Sequence, residues 1–301
     1  MRLGLSIQNS LITAAIVTNG GDFVRQKSYP VAKDDATSLL TSCTALVDMA
    51  NRDNRGLNQT VGISAQSSFI DQPTPHGGLG RLASVELKRN LQASLGRPVV
   101  LASPGQALAL YESCFGKAQQ SEVTCCLFLD NHVSGGVTFG QKLWRGANNI
   151  VGAWGHMPLA WPVPRELEGR DCWCGRNGCL EEFLSLGGLE NEYFNITQTK
   201  LDIQEIANAA DASDLVASSV LQVLDDRIGR STAAIINMFD PDVIILGGRI
   251  AELNRLYLNV PRKWPGYLLI ERSEFPLLKA SNGAFVMAQG AACLAAASKS
   301  I

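Results

Sequence analysis

The most informative part of this sequence is the run Cys172-Trp-Cys174-Gly-Arg-Asn-Gly-Cys179-Leu-Glu181. Its cysteines follow a C-x-C-x4-C spacing, and His156 lies sixteen residues before the first of them. One histidine and three cysteines can surround a tetrahedral metal completely, which is typical of a structural zinc site. The glycines and the asparagine of the run permit the tight turns that bring the sulfurs together. We therefore expect zinc at His156, Cys172, Cys174 and Cys179; the alternative is that these are free core cysteines.

Composition bounds the class of protein. The 301 residues are 46% hydrophobic and 18% charged, which is typical of a globular protein long enough for two lobes. The net charge of −2 gives no indication of a nucleic acid or membrane partner. We find no apolar run of about 18 residues, the length that spans a bilayer. Residues 1–5 resemble a strand more than a signal peptide, so we expect a cytoplasmic protein with reduced thiols.

The order of predicted elements indicates an α/β fold. Two parts of the chain repeat the pattern of strand, polar loop, strand, turn and strand, which predicts duplicated halves with a cleft between them. The first copy has strands at 3–7 and 11–18 with turns at 8–10 and 19–21, and the second has strands at 126–130, 133–139 and 143–144. Helices are predicted at 35–51, 84–95, 214–239 and 287–297, and further strands at 61–64, 98–101 and 243–246.

Gly155-His156 followed by the cysteine run resembles the zinc motif of the ROK family (repressors, open reading frames and sugar kinases). The segment Gly155-His-Met-Pro-Leu-Ala-Trp-Pro162 is most similar to the bacterial fructokinase branch. Weaker similarity at 144–148, 242–248 and 288–292 extends the resemblance over essentially the whole chain. It implies two ribonuclease-H-like lobes of the actin/hexokinase type, with a cleft between them, usually in a homodimer. Because no winged-helix segment precedes Met1, we expect the sugar-kinase branch and not the DNA-binding one.

The resemblance also implies a division of the chain and a set of site residues. We expect a small lobe at 1–105, a large lobe at 106–286, and a C-terminal helix at 287–301 packed back on the small lobe. The sugar contacts that the resemblance implies are Glu181 and His156. The alternative for Glu181 is a solvated or helix-capping carboxylate that does not bind sugar. Nucleotide contacts would be Gly135, Gly136, Gly247 and Gly248, although the last two could simply form a tight turn. The implied cofactors are zinc and, in an active enzyme, Mg-ATP.

Several functional positions depart from the family pattern. The first phosphate loop, Asp-x-Gly-Gly-Thr-Lys in the family, corresponds here to Ser6-Ile-Gln-Asn-Ser-Leu11. The second, Gly-Thr-Gly-x-Gly-Gly-Gly, corresponds to Asp130-Asn-His-Val-Ser-Gly-Gly136. The catalytic Asn-Asp pair is Ser103-Pro104, the sugar-contacting Glu before Gly-His is Ala153, and the run at 71–78 lacks the family's asparagines.

These departures lead to three hypotheses about function. Proline cannot accept a proton, and losing a general base typically costs a factor of about 10²–10⁴ in rate. The first hypothesis is therefore a degenerate sugar-kinase homologue that binds a sugar or metabolite, or regulates another protein. The second is an active ATP-dependent hexose kinase of the fructokinase or glucokinase type, in which Asp130 substitutes for the missing metal ligand or base. The third is a structural or interaction protein without a ligand. The alternative explanation of all these departures is that the weak motifs are misaligned with the family pattern.

Overall fold

Two five-stranded sheets with helices around them form the framework of the protein. The computed structural model describes residues 1–8, 11–20, 22–30, 36–53, 57, 59–65, 84–269, 275–283 and 285–297. The predicted α/β fold is confirmed.

The first sheet is built from the N-terminal part of the chain. Its elements are β1 (Arg2–Gln8), β2 (Leu11–Val17), β3 (Phe23–Pro30), α1 (Ala36–Asp53), β4 (Val61–Ala65), α2 (Ser84–Leu95) and β5 (Val99–Ala102). The strands lie in the order β3-β2-β1-β4-β5. β1, β2 and β3 pair antiparallel, whereas β4 and β5 continue the sheet in parallel to β1.

The second sheet repeats this arrangement. The remaining elements are α3 (Pro104–Cys114), β6 (Val123–Leu129), β7 (Val133–Phe139), β8 (Lys142–Leu143), α4 (Glu181–Leu184), α5 (Leu186–Thr197), α6 (Ile203–Asp211), α7 (Leu215–Phe239), β9 (Val243–Gly247), α8 (Leu256–Asn259), β10 (Leu277–Lys279) and α9 (Val286–Ala297). The strand order β8-β7-β6-β9-β10 has the same directions as the first sheet, antiparallel on one side of β6 and parallel on the other. The structure therefore contains the duplication that the strand and turn pattern predicts.

Local sequence explains the longest helix, α7. Asp214 caps its N-terminus by accepting hydrogen bonds from the backbone N–H groups of Val216 and Ala217. Asp240 ends it in the left-handed region at φ +41°, and Pro241 cannot continue a helix. The predicted helix over 214–239 is present with these boundaries to within a residue.

Helices α3 and α9 join the two sheets. A Cβ atom on Gly4 of β1 or Gly62 of β4 would lie 2.0 or 1.7 Å from a carbonyl oxygen of α9, so α9 rests directly on the first sheet. Gly290 of α9 approaches the carbonyl oxygen of Ala107 in α3 just as closely, at 1.9 Å from its hypothetical Cβ. The division into lobes at 1–105 and 106–286 stays a prediction.

A buried ion network ties the turn Pro164–Glu166 to α7. Glu166 accepts hydrogen bonds from the guanidinium groups of Arg227 and Arg230, at 2.7 and 3.0 Å, and all three side chains are almost fully buried. Glu192 of α5 bonds the other side of Arg227. The guanidinium of Arg230 also donates to the carbonyl oxygens of residues 160 and 161. The chain that follows His156 is therefore anchored to the core of the second sheet.

Among the described residues, none of the helices combines the length and the apolar character needed to cross a bilayer.

Candidate functional site

The four predicted metal ligands come together in a compact knuckle. Their ligand atoms all lie within 4.8 Å of one another. His156 belongs to the short turn Trp154–His156, and the cysteines lie on the loop before α4. Gly175 and Gly178 adopt φ values of +83° and +74°, which a side chain would oppose. The loop is held by hydrogen bonds from the N–H of Cys172 to the carbonyl of Arg176 and from Leu180 to Met157, both 2.8 Å.

The knuckle fits a tetrahedral zinc ion. The Sγ atoms of Cys174 and Cys179 are 3.7 Å apart, and Sγ of Cys172 lies 3.7 Å from Nδ1 of His156. Zinc–sulfur and zinc–nitrogen bonds of about 2.3 and 2.0 Å give tetrahedral edges of roughly 3.6–3.8 Å. Both measured edges agree with that geometry.

Burial opposes a negative charge on two of the three thiols of the knuckle. Burial raises the pKa of Cys172 and, together with a hydrogen bond to Cys174, raises the pKa of Cys179 to about 11. Burial also acts on Cys174, but hydrogen bonds from the backbone of Arg176 and from the side chains of Cys172, Cys179 and Arg176 together outweigh it and lower the pKa of that thiol. Metal binding requires thiolates, and the positive charge of a bound metal ion would offset the cost of ionising Cys172 and Cys179.

Glu181 lies beside the knuckle and is fully engaged within the protein. One carboxylate oxygen accepts hydrogen bonds from Nδ1 of His132 at 2.6 Å and from Nε1 of Trp173 at 3.3 Å. The other accepts from the backbone N–H of Val133 at 2.7 Å. With a 3% exposed fraction, Glu181 is not a solvated carboxylate.

Trp173 connects this carboxylate to the metal ligands. Its indole packs edge-on against the ring of His156, with centroids 4.7 Å apart, and against the ring of His132 at 6.3 Å. Burial alone favours the neutral form of His132, but the hydrogen bond and charge of Glu181 outweigh it and raise the pKa of the imidazole. The contact with Glu181 thus favours the protonated form of His132.

The start of α3 carries Ser103 and Pro104, which the resemblance aligns with the family's catalytic pair. Ser103 caps the helix: its hydroxyl accepts from the N–H of Gln106, and the Gln106 side chain accepts from the N–H of Ser103. The next free donor, the N–H of Gly105, bonds the hydroxyl of Ser134 at 3.1 Å. Pro104 has no N–H and is buried. The helix terminus that could face a substrate is therefore satisfied internally and carries no carboxylate.

Glu112, the acidic residue further along α3, lies at the opposite end of the helix. It is fully buried, and its carboxylate accepts hydrogen bonds from the N–H of Lys117 and from both the N–H and the hydroxyl of Ser281. These contacts describe a structural carboxylate that holds the chain after β10.

Asp130 is paired with Arg249. Its carboxylate receives hydrogen bonds from the Arg249 backbone N–H at 3.0 Å and from the guanidinium at 2.8 Å. Burial raises the pKa of Asp130, but these hydrogen bonds outweigh it and lower the pKa below its ordinary value. Arg249 also bonds the side chain of Asn131. The loop after β6 is thereby tied to the loop after β9.

A cavity of about 250 Å³ opens at the carboxyl ends of β6, β9 and β10, where open α/β sheets commonly bind ligands. Gly247, Gly248 and Arg249 line it, and Gln8 reaches it from the first sheet. Its ionic groups are Asp130, Arg249, Glu252 and Lys279, and the last two are paired at 2.6 Å. The charges of the cavity wall therefore cancel.

The predicted nucleotide-side glycines separate into two pairs. Gly247 and Gly248 are part of the cavity wall. Gly135 and Gly136 lie within β7, where a Cβ on the first would strike Trp154 and a Cβ on the second would strike the backbone of α3. Their visible role is to let β7 pack closely against its neighbours.

The remaining predicted positions are also placed. Ser6 is buried in β1 between Thr13 and Ser64, and Ala153 precedes the turn that carries His156. Asn9 and Ser10 of the first loop, Gly21 of the following turn, and the run at 71–78 lie outside the described residues. Sequence reasoning missed Trp173 and His132 as partners of Glu181. The only available signal was His132 itself, a bulky and polar residue at a position where the family pattern has glycine.

Two sheets of equal strand order, with a cavity at their carboxyl ends, define the actin-like sugar-kinase class of α/β fold. Comparison of structures agrees: the ROK hexokinase from Thermus thermophilus superposes with a TM-score of 0.82 at 25% identity, covering 97% of this chain and 96% of that one. A ROK glucokinase from Streptomyces griseus, solved with glucose and AMPPNP, gives 0.77 at 24% identity, covering 97% and 98% of the two chains.

The chain belongs to the ROK family, whose defining pattern matches residues 2–298. Among curated relatives, an N-acetyl-D-glucosamine kinase of Haemophilus influenzae is 27% identical over 98% of this chain and 99% of its own. The enzyme of the same name from Vibrio vulnificus is 29% identical, covering 90% of this chain and 91% of its own. The fructokinase branch stays a prediction.

Proposed function

We propose that this ROK-family protein is a sugar-kinase homologue with weak or absent phosphoryl transfer that acts as a sugar- or metabolite-binding protein or as a regulatory protein. The observation that carries the proposal is the start of α3, where Ser103 and Pro104 stand in place of the family's Asn-Asp pair. A sugar kinase needs a carboxylate there to take the proton of the attacking hydroxyl. Ser103 uses its hydroxyl to cap the helix instead.

The phosphate side supports the same proposal. Asp130, the candidate substitute for the missing base or metal ligand, is held by Arg249 through side-chain and backbone hydrogen bonds. A carboxylate with a lowered pKa is a weak base, so Asp130 is poorly suited to proton abstraction. Ser6, at the other family acid position, cannot supply a charge to magnesium. These features favour ligand binding over catalysis.

The sugar side is altered but keeps polar groups. Glu181 and His156 are the retained sugar contacts of the resemblance, and Ala153 removes a third. A sugar hydroxyl that bonds Glu181 has to share its carboxylate with His132 and Trp173 or displace the imidazole. We infer that His132 narrows the range of ligands that the site accepts.

The cofactors follow from the donor sets. His156, Cys172, Cys174 and Cys179 would hold a structural zinc ion, which stabilises the knuckle that carries Trp173 and precedes Glu181. A nucleotide, if one binds, would lie in the cavity beside Gly247, Gly248 and Arg249. Contact of Gly135 and Gly136 with a nucleotide stays a prediction, as does the homodimer.

A second candidate function is an active ATP-dependent hexose kinase. Relatives named N-acetyl-D-glucosamine kinase cover nearly the whole chain, and this favours it. The reaction would be transfer of the γ-phosphoryl group of Mg-ATP to a sugar hydroxyl, in which positioning and metal electrostatics dominate. A third, structural role without a ligand is supported only by the mutual pairing of the cleft side chains.

An ADP-release assay tests the first two functions. Zinc-replete protein is assayed with Mg-ATP and N-acetylglucosamine, N-acetylmannosamine, glucose, mannose or fructose. We expect no turnover above background. Turnover on one sugar that is lost in Asp130→Asn, with melting temperature and zinc content retained, would instead establish a rebuilt kinase site.

Calorimetric titration with the same sugars separates the binding protein from the structural one. We expect at least one sugar to bind the wild type without turnover, and Glu181→Gln to weaken it. Glu168→Gln is the control, because Glu168 is an exposed glutamate and is absent from the contacts of Glu181 described above. No binding by any sugar would leave the structural role.

A further inference from the structure

Two cysteines outside the zinc knuckle lie in contact where α3 meets α9. Cys114 is the last residue of α3, and Cys293 lies in α9. Both pack in one apolar cluster with Leu110 and Leu294. The Cys293 thiol donates a hydrogen bond to the backbone carbonyl of Gln289 at 3.6 Å, and each of the two thiols influences the pKa of the other, with Arg2 acting on both. The contact brings together residues that are 179 positions apart in the chain.

The two sulfurs differ in exposure and in acidity. Cys114 is partly exposed, whereas Cys293 is buried. The hydrogen bond from Cys293 is the largest influence on Cys114 and, with the charge of Arg2, lowers the pKa of Cys114 to about 7 against the opposing effect of burial. The same hydrogen bond raises the pKa of Cys293, because its proton is shared with a thiolate. A partly exposed thiolate with a second thiol in contact is the arrangement found in redox-sensing cysteines.

Other free thiols of the chain lack this combination. Burial raises the pKa values of Cys43 and Cys125 to about 12, and that of Cys126 well above its ordinary value. Cys125 and Cys126 are adjacent in β6 and point to opposite faces of the sheet. We expect these three thiols to react with oxidants and alkylating agents more slowly than Cys114, so they serve as internal references.

We propose that Cys114 and Cys293 form a reversible disulfide in response to a peroxide, and that this bond joins α3 to α9. The Cys114 thiolate attacks one peroxide oxygen, the O–O bond breaks, and Cys114 becomes a sulfenic acid while hydroxide leaves. The sulfur of Cys293 then attacks the sulfenic sulfur, an S–S bond forms, the S–O bond breaks and water leaves. In sum two thiols and one hydrogen peroxide give one disulfide and two waters; a dithiol reverses the change.

A disulfide between Cys114 and Cys293 would affect how the two sheets pack together. α9 rests on β1 and β4 of the first sheet, and a Cβ on Gly136 of β7 would strike the backbone of α3. A disulfide between the two helices would therefore fix the second sheet against the first. It would also immobilise the helix that begins at Ser103, beside the proposed ligand cleft.

Peptide mass spectrometry provides a direct test. Purified zinc-loaded protein is treated with hydrogen peroxide, blocked with N-ethylmaleimide and digested with trypsin. Peptides 90–117 and 280–299 each contain a single cysteine, Cys114 or Cys293, so their crosslink is unambiguous. We expect this crosslink to be the first cysteine product, to disappear with dithiothreitol, and to be absent from Cys114→Ser and Cys293→Ser. In Cys293→Ser, dimedone should trap sulfenic acid on Cys114.

Alkylation rates supply a second measurement that needs no oxidant. At pH 7, Cys114 should react with iodoacetamide at least tenfold faster than Cys43, which peptide 34–52 reports. Conversion of Cys114 to sulfinic acid without a crosslink would overturn the proposal. So would oxidation of the zinc cysteines, reported by peptides 171–176 and 177–200, before any crosslink forms, or equal alkylation of Cys114 and Cys43. All of these outcomes are independent of sugar binding and turnover.

Discussion

At the scale of single residues, the cleft side chains bond one another. His132 bonds Glu181, and Asp130 bonds Arg249, at distances of 2.6 and 2.8 Å. In each pair, the carboxylate that could bind a ligand already has a hydrogen-bonding partner within the protein. The energetic consequence is that a ligand gains only the difference between its own contacts and those it replaces.

The pairing of His132 with Glu181 predicts a pH dependence. Because the carboxylate raises the pKa of His132, the pair stabilises the fold fully below the unfolded-state pKa of about 6.5 and less as pH rises through the folded-state pKa. His132→Gln keeps a donor but removes the charge. Wild type should exceed this variant in unfolding free energy by up to about 1 kcal/mol at pH 6 and by less at pH 8.5.

Urea denaturation at both pH values, with zinc in excess, provides the measurement. Glu181→Gln is the control, since removal of the carboxylate should abolish the dependence in the same window. A difference between wild type and His132→Gln that grows as the pH rises would contradict the assignment.

At the scale of elements, α3 is the central helix of the molecule. Nearly all of its residues are buried, from Pro104 to Ser113, because β7 and α9 pack on different sides of it. The sequence therefore shows no apolar stripe of helical period, which explains why α3 was not predicted as a helix. Its tight crossing with α9 depends on the absence of a side chain at Gly290.

Gly290→Ala should destabilise the protein. Its Cβ would lie 1.9 Å from the carbonyl oxygen of Ala107, so the two helices must separate, at a cost of about 1–3 kcal/mol. Gly187→Ala is the matched control: it lies in α5 with open space around its Cβ and should stabilise by up to about 0.5 kcal/mol. Thermal unfolding of both variants measures the difference, and equal melting temperatures would show that α3 and α9 are not packed so closely.

The ion network between the turn Pro164–Glu166 and α7 yields another prediction. Glu166→Gln leaves the buried guanidinium groups of Arg227 and Arg230 without their shared carboxylate and should cost about 3–5 kcal/mol. Glu168→Gln, an exposed neighbour, should change the unfolding free energy by less than about 0.5 kcal/mol. Chemical denaturation compares the two, and a loss below 1 kcal/mol in Glu166→Gln would indicate that water replaces the carboxylate.

At the scale of the whole molecule, the fold combines two equivalent sheets with one knuckle, which lies in the second half. The knuckle lies between β8 and α4 and has no counterpart in the part of the first half that the structure describes. It carries Trp173 and leads into Glu181, so its shape determines where these two side chains lie.

Metal removal should therefore affect the second half first. Purified protein should contain about one zinc ion per chain, and chelation should lower the melting temperature and expose amides at 171–181 to hydrogen exchange before those of β1 and β4. Cys174→Ser should reproduce the effect, whereas Cys43→Ser should retain zinc. Metal-free protein with unchanged stability would exclude a structural zinc.

Local sequence determined the elements and the knuckle. Glycine and cysteine spacing around Cys172 is a short-range property, and so are the strand alternation and the caps of α7; each can be seen within a dozen residues because the forces involved are local. The family resemblance at His156 and 172–181 then supplied the two-lobe fold, and the alignment of Ser103 and Asp130 with the family pattern predicted where catalytic groups are replaced.

The contacts that the residues at these positions make depend on the tertiary structure. That His132 bonds Glu181, that Asp130 is neutralised by Arg249, and that Cys114 meets Cys293 all depend on residues 49, 119 and 179 positions apart. Sequence patterns carry no information on such pairs, because a side chain's partner is set by the packing of sheets and helices. Burial then strengthens each charge interaction, so packing also sets the acidity of the groups that could act on a ligand or an oxidant.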